Sequence, residues 1–323
     1  MKRFGFLFDK IVDMNNLIDA HKNAKRGKRF YKEVKMVDSN LEFYLKHIQK
    51  ILIEKSYKVS EYKIFEKNEN GKMRIIHKLP YFPDRIIQWA VLKILEPIFI
   101  SSFIKDTYSS IPGRGIHKIV IDLKKYLNSV YGEVYCLKID IKKFYENVDH
   151  KILKQMLRRK IKDRDVLDLL DKIIDSLPGE KGIPIGNYTS QYFANFYLTY
   201  FDHFIKEALK IKKFYRYMDD MILLSDNKES LHKNLAEIRK YLRDNLKLEI
   251  KKNYQIFPVS KRGIDFVGYR FFKKHILLRK NICKRFKRAF FSKKNKNLSL
   301  NSYIGWLKWC NSFNLLKKYK IIL

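Results

Sequence analysis

The chain has 323 residues, 46% of them hydrophobic and 15% aromatic, which is enough for a sizeable core and excludes a disordered chain. Lys and Arg outnumber Asp and Glu by 69 to 34, and a net charge of +35 points to a polyanionic partner, nucleic acid first and an anionic membrane surface second. The three scattered cysteines, Cys136, Cys283 and Cys310, suggest neither a disulfide framework nor a metal cluster. No run approaches the roughly 18 apolar residues of a transmembrane helix. A soluble protein of a reducing, cytoplasmic compartment is therefore expected.

Residues 1–60 read as helices, with a basic cluster at 25–28 and a periodic apolar face of Leu41, Leu45, Ile48 and Leu52. Residues 61–79 alternate and turn at 68–71, which predicts two strands. Asp84 is placed to cap a helix carrying Ile86, Ile87, Trp89, Leu92 and Leu95 and ending near Pro97. A loop with Pro112, Gly113 and Gly115 leads into a helix that runs to about Leu127. Residues 134–141 are almost continuously apolar, the mark of a buried strand. Asp149 caps a helix with Ile152, Leu153, Met156 and Leu157; residues 179–186 form a loop and 190–211 a long aromatic-rich helix. Residues 214–224 predict a β-hairpin with an acid pair at its tip. Leu231, Leu235, Ile238 and Leu242 mark an amphipathic helix, 266–278 another hairpin, and 279–323 a basic, aromatic, helical end. The order fits an α+β arrangement around one buried sheet.

The acid pair, Asp219 and Asp220, lies inside an otherwise apolar hairpin. Holding both ionised is costly unless a cation sits on them, and a hard divalent ion with oxygen ligands, Mg²⁺ above all, meets that demand. A surface Asp-Asp turn is the plainer reading, and the apolar Met221-Ile222-Leu223-Leu224 flank argues against it. Asp140 ends the buried run and is followed by Ile141-Lys142-Lys143-Phe144-Tyr145, a turn whose N–H groups suit a triphosphate. A strand-terminal Asp capping its own turn is the alternative. Taken together the acids are more specific. Two metal ions roughly 3.5–4 Å apart can activate a primer 3′-hydroxyl and stabilise departing pyrophosphate, and they need acids from separate strands. A palm-type polymerase requires this pair in this order.

Tyr217-Met218-Asp219-Asp220 resembles the signature box of reverse transcriptases, and residues 138–145 resemble their first aspartate motif. Gly182-Ile183-Pro184-Ile185-Gly186-Asn187 lies where the family's nucleotide-binding loop belongs. Most members carry Gln at the position of Ile185 and Pro after the Ser; the form here, ending Ser190-Gln191, resembles the reverse transcriptases of diversity-generating retroelements. Segments around Pro83-Asp84-Arg85, Gly113-Arg114-Gly115 and Gly263-Ile264-Asp265 extend the likeness over nearly the whole chain.

The resemblance implies a right-hand polymerase with fingers and N-terminal helices at 1–114 and an antiparallel palm sheet, backed by helices, at 115–149 and 184–270. It adds an insertion at 150–183 and a basic helical thumb at 271–323. It implies two Mg²⁺ ions, with Mn²⁺ as a substitute, held by Asp140, Asp219, Asp220 and the Ile141 carbonyl. Nucleotide binding falls to Arg74, Lys72, Lys67, Lys143, Phe144, Tyr145, Ile185 and Gly186. Arg74 suits phosphate because guanidinium grips it bidentately, and Tyr145 stands where an aromatic gate excludes the ribose 2′-hydroxyl. An Ile at 185 can pack but not hydrogen-bond, which fits lower fidelity. That the errors fall chiefly opposite template adenines is implied by the resemblance alone, since a lost hydrogen bond does not explain it. The implied activity is RNA-directed DNA synthesis from a template-repeat RNA. Its partners would be template RNA, the RNA/cDNA duplex, dNTPs and a small basic accessory variability protein, in a bacterial or phage-infected cytoplasm. Alternatives are a retron, intron-type or phage-defence reverse transcriptase of ordinary fidelity, or a non-catalytic nucleic-acid-binding protein. Where relatives keep a proton-donating lysine, either Lys252 or Asn253 stands here, and the choice stays open.

Overall fold

The computed structural model describes residues 3–69, 71–291 and 296–320. The chain forms two compact units interleaved in sequence. The first is built of Met1–Ile104, Lys143–Asp202 and Leu242–Leu248, the second of Lys105–Lys142, His203–Tyr241 and Glu249–Leu323.

The first unit is mainly helical. Helices Met14–Ala24 and Tyr188–Tyr197 pack on the apolar helix Ile86–Ile100, which buries Ile86, Ile87, Ala90, Val91, Leu92 and Leu95. Strands β1 (Lys63–Glu69) and β2 (Lys72–Lys78) pair antiparallel and place Lys67 opposite Arg74. Asp149 caps helix His150–Lys160 as expected, its Oδ1 accepting from the Ile152 N–H at 3.0 Å, while Lys247 sits 2.6 Å from Oδ2.

Three local expectations fail here. Asp84 caps nothing; it is fully buried in a π-helical turn, Tyr81–Arg85, and its Oδ1 accepts from the Tyr57 hydroxyl at 2.7 Å and the Ser60 N–H at 3.1 Å. Pro97 does not stop its helix, because burial of Ile98 and Phe99 beyond it outweighs one missing N–H donor. The run 190–211 is not one helix but Tyr188–Tyr197, Thr199–His203 and a π-helical turn at Phe204–Ala208. At the first break the Thr199 hydroxyl bonds back to the Asn195 carbonyl at 3.4 Å, a contact that bends helices. The amphipathic helix Arg164–Ile174, capped by Asp163, was not anticipated.

The second unit carries β3 (Tyr135–Asp140), β4 (Lys213–Tyr217), β5 (Asp220–Ser225) and β6 (Gln255–Pro258) in one antiparallel sheet of order β4-β5-β3-β6. Helix Ile116–Ser129 buries Ile119, Val120, Leu123 and Leu127 in the same core as Cys136, Tyr215, Ile222 and Leu224 of this sheet. The expected hairpin at 266–278 is part of a separate three-stranded sheet, β7 (Ile264–Phe266), β8 (Tyr269–Phe271) and β9 (Ile276–Leu278). Val267 and Gly268, both at positive φ, turn β7 into β8 within two residues, so the first strand was hidden inside a turn signal. Helices Lys280–Phe291, Lys296–Leu307 and Phe313–Lys318 follow. The α+β class holds; the single sheet becomes three among the described residues.

Candidate active site

Cys136, Leu137 and Ile139 of β3 are at most 1% exposed, and the strand is flanked by β5 on one side and β6 on the other. Its last residue, Asp140, pairs in register with Asp220, the first residue of β5. Tyr217 pairs with Asp220 across the adjoining hairpin, so Met218 and Asp219 form a two-residue turn. Met218 adopts a φ of 55°, a left-handed conformation costing a side-chain-bearing residue roughly 1–2 kcal/mol. Arg216 braces it. That residue is fully buried and donates from Nη1 to the Met218 carbonyl at 3.1 Å. The Ile141 N–H reaches the Asp219 carbonyl at 3.4 Å, which ties the end of β3 to the same turn. Three carboxylates from two strands and a turn are thus gathered at one end of the sheet.

Burial first, and then the neighbouring Asp140, push the Asp219 carboxyl up. Burial raises Asp220 to about 6, with Lys138 pulling the other way and Asp140 and Asp219 adding to the rise. Asp140 Oδ1 and Asp220 Oδ1 are buried and lack hydrogen-bond partners. Lys251 Nζ sits 2.7 Å from Asp140 Oδ2, and Lys138 Nζ 3.7 Å from Asp220 Oδ1. Among the described residues no three His, Cys, Asp or Glu side chains are closed around a point as a finished metal cage. Even so, crowded acids with orphaned oxygens and an ammonium drawn onto one of them form a donor set that suits a hard cation.

The raised value has a measurable consequence. In metal-free protein the native Asp220 holds its proton more tightly than the unfolded chain, whose Asp titrates near about 3.9. Asp220→Asn should therefore gain stability relative to the parent as pH rises from about 4 to about 6, where the parent must take on a buried charge. Carboxyl NMR should place the Asp220 titration near 6 and show it moving down when Mg²⁺ is added.

The residues expected to bind nucleotide belong to the first unit. Lys67 and Arg74 face each other across the hairpin, and both make further contacts. The Lys72 side chain lies outside the described residues. Lys67 and Gly186 line one hollow of about 400 Å³ together with Lys28, Lys78 and Arg85. The Ile185 carbonyl accepts from the His77 N–H at 2.8 Å, which fastens the loop to β2. Gly186 has a φ of 130°, and a Cβ there would lie 2.5 Å from the His77 carbonyl oxygen. Gly186→Ala is accordingly expected to cost about 1–3 kcal/mol, seen as a lower urea midpoint for the first unit. Lys143 turns the chain at a φ of 47°, Phe144 is buried, and Tyr145 meets it edge-on at 5.8 Å. The Tyr145 carbonyl accepts from the Ile183 N–H at 2.9 Å, joining the two loop segments.

Sequence reasoning missed Arg216, Lys251 and Lys138 as neighbours of the acids. Lys138 precedes Asp140 by two residues and so shares its face of β3, a signal that was available. Of the residues near 252, Lys251 reaches Asp140, Asn253 lines the hollow that holds Asp140 and Asp220, and Lys252 is exposed.

Residues 65–271 match the family described as Reverse transcriptase (RNA-dependent DNA polymerase), well over half of the chain. This chain belongs to that family. Protein YkfC of Escherichia coli (strain K12) is 26% identical over 255 residues, 66% of this chain and 66% of YkfC. The group II intron-encoded protein LtrA of Lactococcus lactis subsp. cremoris is 31% identical over 154 residues, 45% of this chain and 25% of LtrA. Apo telomerase from Candida Tropicalis shares the fold with a TM-score of 0.54 at 14% identity, over 76% of this chain and 51% of that one. This reverse transcriptase chain thus spans two thirds or less of each of these proteins. No helix among its described residues is long and apolar enough to cross a membrane.

Proposed function

We propose that the chain is an RNA-directed DNA polymerase that extends a primer on template RNA. The observation that carries this reading is the register of β3 and β5, which sets Asp140 against Asp220 with Asp219 in the adjoining turn, in a chain of the reverse transcriptase family. Asp140, Asp219, Asp220 and the Ile141 carbonyl would hold two Mg²⁺ ions, or Mn²⁺. Bound there, the ions supply Lewis-acid activation of the 3′-hydroxyl and charge neutralisation on pyrophosphate. In the reaction the primer 3′-oxygen forms a bond to the α-phosphorus of a dNTP, and the bond to pyrophosphate breaks. Arg74, Lys67 and Lys72 bind the triphosphate, and the turn at Lys143 and Phe144 offers it backbone N–H groups. Tyr145 stands against the ribose, and Gly186 lets the loop approach the hairpin closely. In this reading residues 1–114 serve as fingers, 115–149 and 184–270 as palm, 150–183 as an insertion and 271–323 as thumb.

The finer reading is a mutagenic enzyme of the diversity-generating type, working in a bacterial or phage-infected cytoplasm with a basic accessory protein. Ile185 followed by Gly186, Asn187, Ser190 and Gln191 supports it. The similarity to LtrA favours the competing reading, an intron-type enzyme of ordinary fidelity. Primer extension on an RNA template with Mg²⁺ and all four dNTPs, followed by product sequencing, separates them. Errors concentrated at template adenines support the mutagenic enzyme, whereas rare and evenly spread errors remove it and keep the polymerase. Ile185→Gln should restore one hydrogen bond worth about 1 kcal/mol, roughly a fivefold drop in misincorporation read by the same sequencing.

A further inference from the structure

The positive charge is unevenly placed over the hollows of the second unit. The hollow that holds Asp140 and Asp220 is balanced, with Lys138, Arg262 and Arg270 set against those two acids and Asp265. A second hollow of about 660 Å³ shares no residue with it and is lined by Lys105, Arg114, Lys118, Lys125, Lys212 and Lys213, with only Asp106 and Asp122 as acids. Both of those acids are already paired. Asp106 lies 2.5 Å from Lys206, and Asp122 lies 2.6 Å from Lys118 and accepts from the Tyr108 hydroxyl at 2.9 Å. Lys105, Lys125 and Lys212 are exposed, and among the described residues none of the three has a carboxylate partner.

Two of the cations that line this hollow, Lys118 and Lys125, stand on a rigid support. Residues 118, 122, 125, 126 and 129 recur at helical spacing along one face of helix Ile116–Ser129, whose other face is locked into the core by Ile119, Val120, Leu123 and Leu127. Lys213 is held over the Tyr126 ring, 4.7 Å from its centroid. Lys125 also borders a neighbouring hollow of about 370 Å³, where Lys124 and Lys308 stand beside Trp309. Together the two hollows make a basic track across the helix, longer than one small anion needs. Like charges gathered this closely repel one another until a polyanion neutralises them. The rings of Tyr108 and Tyr215 are buried and the half-buried Tyr126 ring lies under Lys213, so the larger hollow presents cations to phosphates more than open rings to bases.

We propose that this track is a second RNA-binding surface, distinct from the hollow of the acids, that holds the phosphodiester backbone of a structured RNA without reading its sequence. The choice of RNA among polyanions rests on the polymerase reading; the track itself does not. The test compares Lys105→Glu/Lys125→Glu/Lys212→Glu with a control of equal charge change on the first unit, Lys35→Glu/Lys46→Glu/Lys50→Glu, all exposed positions. Binding of a long folded RNA and of a short primer–template would be followed across a salt series, with circular dichroism to verify folding. The track variant should bind the folded RNA at least about tenfold more weakly and flatten its logarithmic salt slope by about 2. It should extend the short primer–template at the parent rate, and the control should bind like the parent. Equal losses in both variants, or no loss in either, would overturn the proposal. So would an unchanged RNA affinity accompanied by lost binding to pyrophosphate or to phosphatidylserine vesicles. If the parent itself makes no DNA, the polymerase reading fails while the RNA-binding comparison still decides the track.

Discussion

Asp219→Asn is expected to cut single-turnover primer extension by at least about 10³-fold, equivalent to about 4 kcal/mol of transition-state stabilisation. The substitution keeps the side-chain shape and removes one charge from a cluster in which Asp140 and burial already disfavour that charge. Folding should therefore be undisturbed or slightly favoured at neutral pH, and RNA affinity should match the parent, because the site contributes no cation to RNA binding through Asp219. Loss of extension with retained binding isolates the chemistry. Retained extension would mean that the carboxylates do not carry the reaction, and the polymerase reading would fall with them.

Arg216→Ala should lower stability by about 3–5 kcal/mol, through the cavity it opens and the acceptors it leaves unpaired. Its side chain is 0% exposed, and it donates to the Met218 carbonyl at 3.1 Å and from Nη2 to the Thr107 hydroxyl at 3.4 Å. Its backbone N–H also donates to the Asp106 carbonyl at 3.0 Å, and the Tyr108 N–H donates to its carbonyl at 3.0 Å. Truncation would open a cavity and strand the Met218 carbonyl beside a residue held at positive φ. The turn that aims Asp219 would then lose its brace. A lower urea midpoint together with a fall in extension at temperatures where the variant stays folded is the expected pair of results, and Arg216→Lys should recover part of both. Full extension by a destabilised but folded variant would show that the turn holds its shape unaided.

The strands that carry the acids were legible because nothing competes with their patterns. Residues 134–141 are apolar apart from Lys138 and Asp140, and a buried central strand explains that run. The hairpin was legible because an acid pair interrupts its apolar strands, although the turn is Met218-Asp219 and Asp220 already belongs to β5, one residue from the expected tip. What escaped depended on distant partners. Asp84 has the residue type of a helix cap, but Tyr57 and Ser60, which claim it, lie far back in the chain. β6, Gln255–Pro258, is four residues long and ends in proline, so its strand character comes from pairing with β3 and not from its own propensity. Arg216 looks in sequence like one more cation in a basic chain. Its burial is visible only once the 106–108 segment is laid beside it. The acidic site was read from local chemistry, whereas the groups that tune it, Lys251 and Lys138, needed the sheet to be assembled first.

The position of β3 between two partners has a further consequence. A slip of one residue along either ladder would turn Asp140 to the opposite face of the sheet, since side chains alternate. The β5 register, the β6 register and the Ile141–Ile250 bridge all forbid that slip together. Asp140 can leave its place only when both ladders open, an event of the same scale as melting the whole sheet. Amide exchange at Leu137 and Ile139 should then be among the slowest in the molecule, and a heated sample should divide into fully competent and fully inert chains with no weakened form between them.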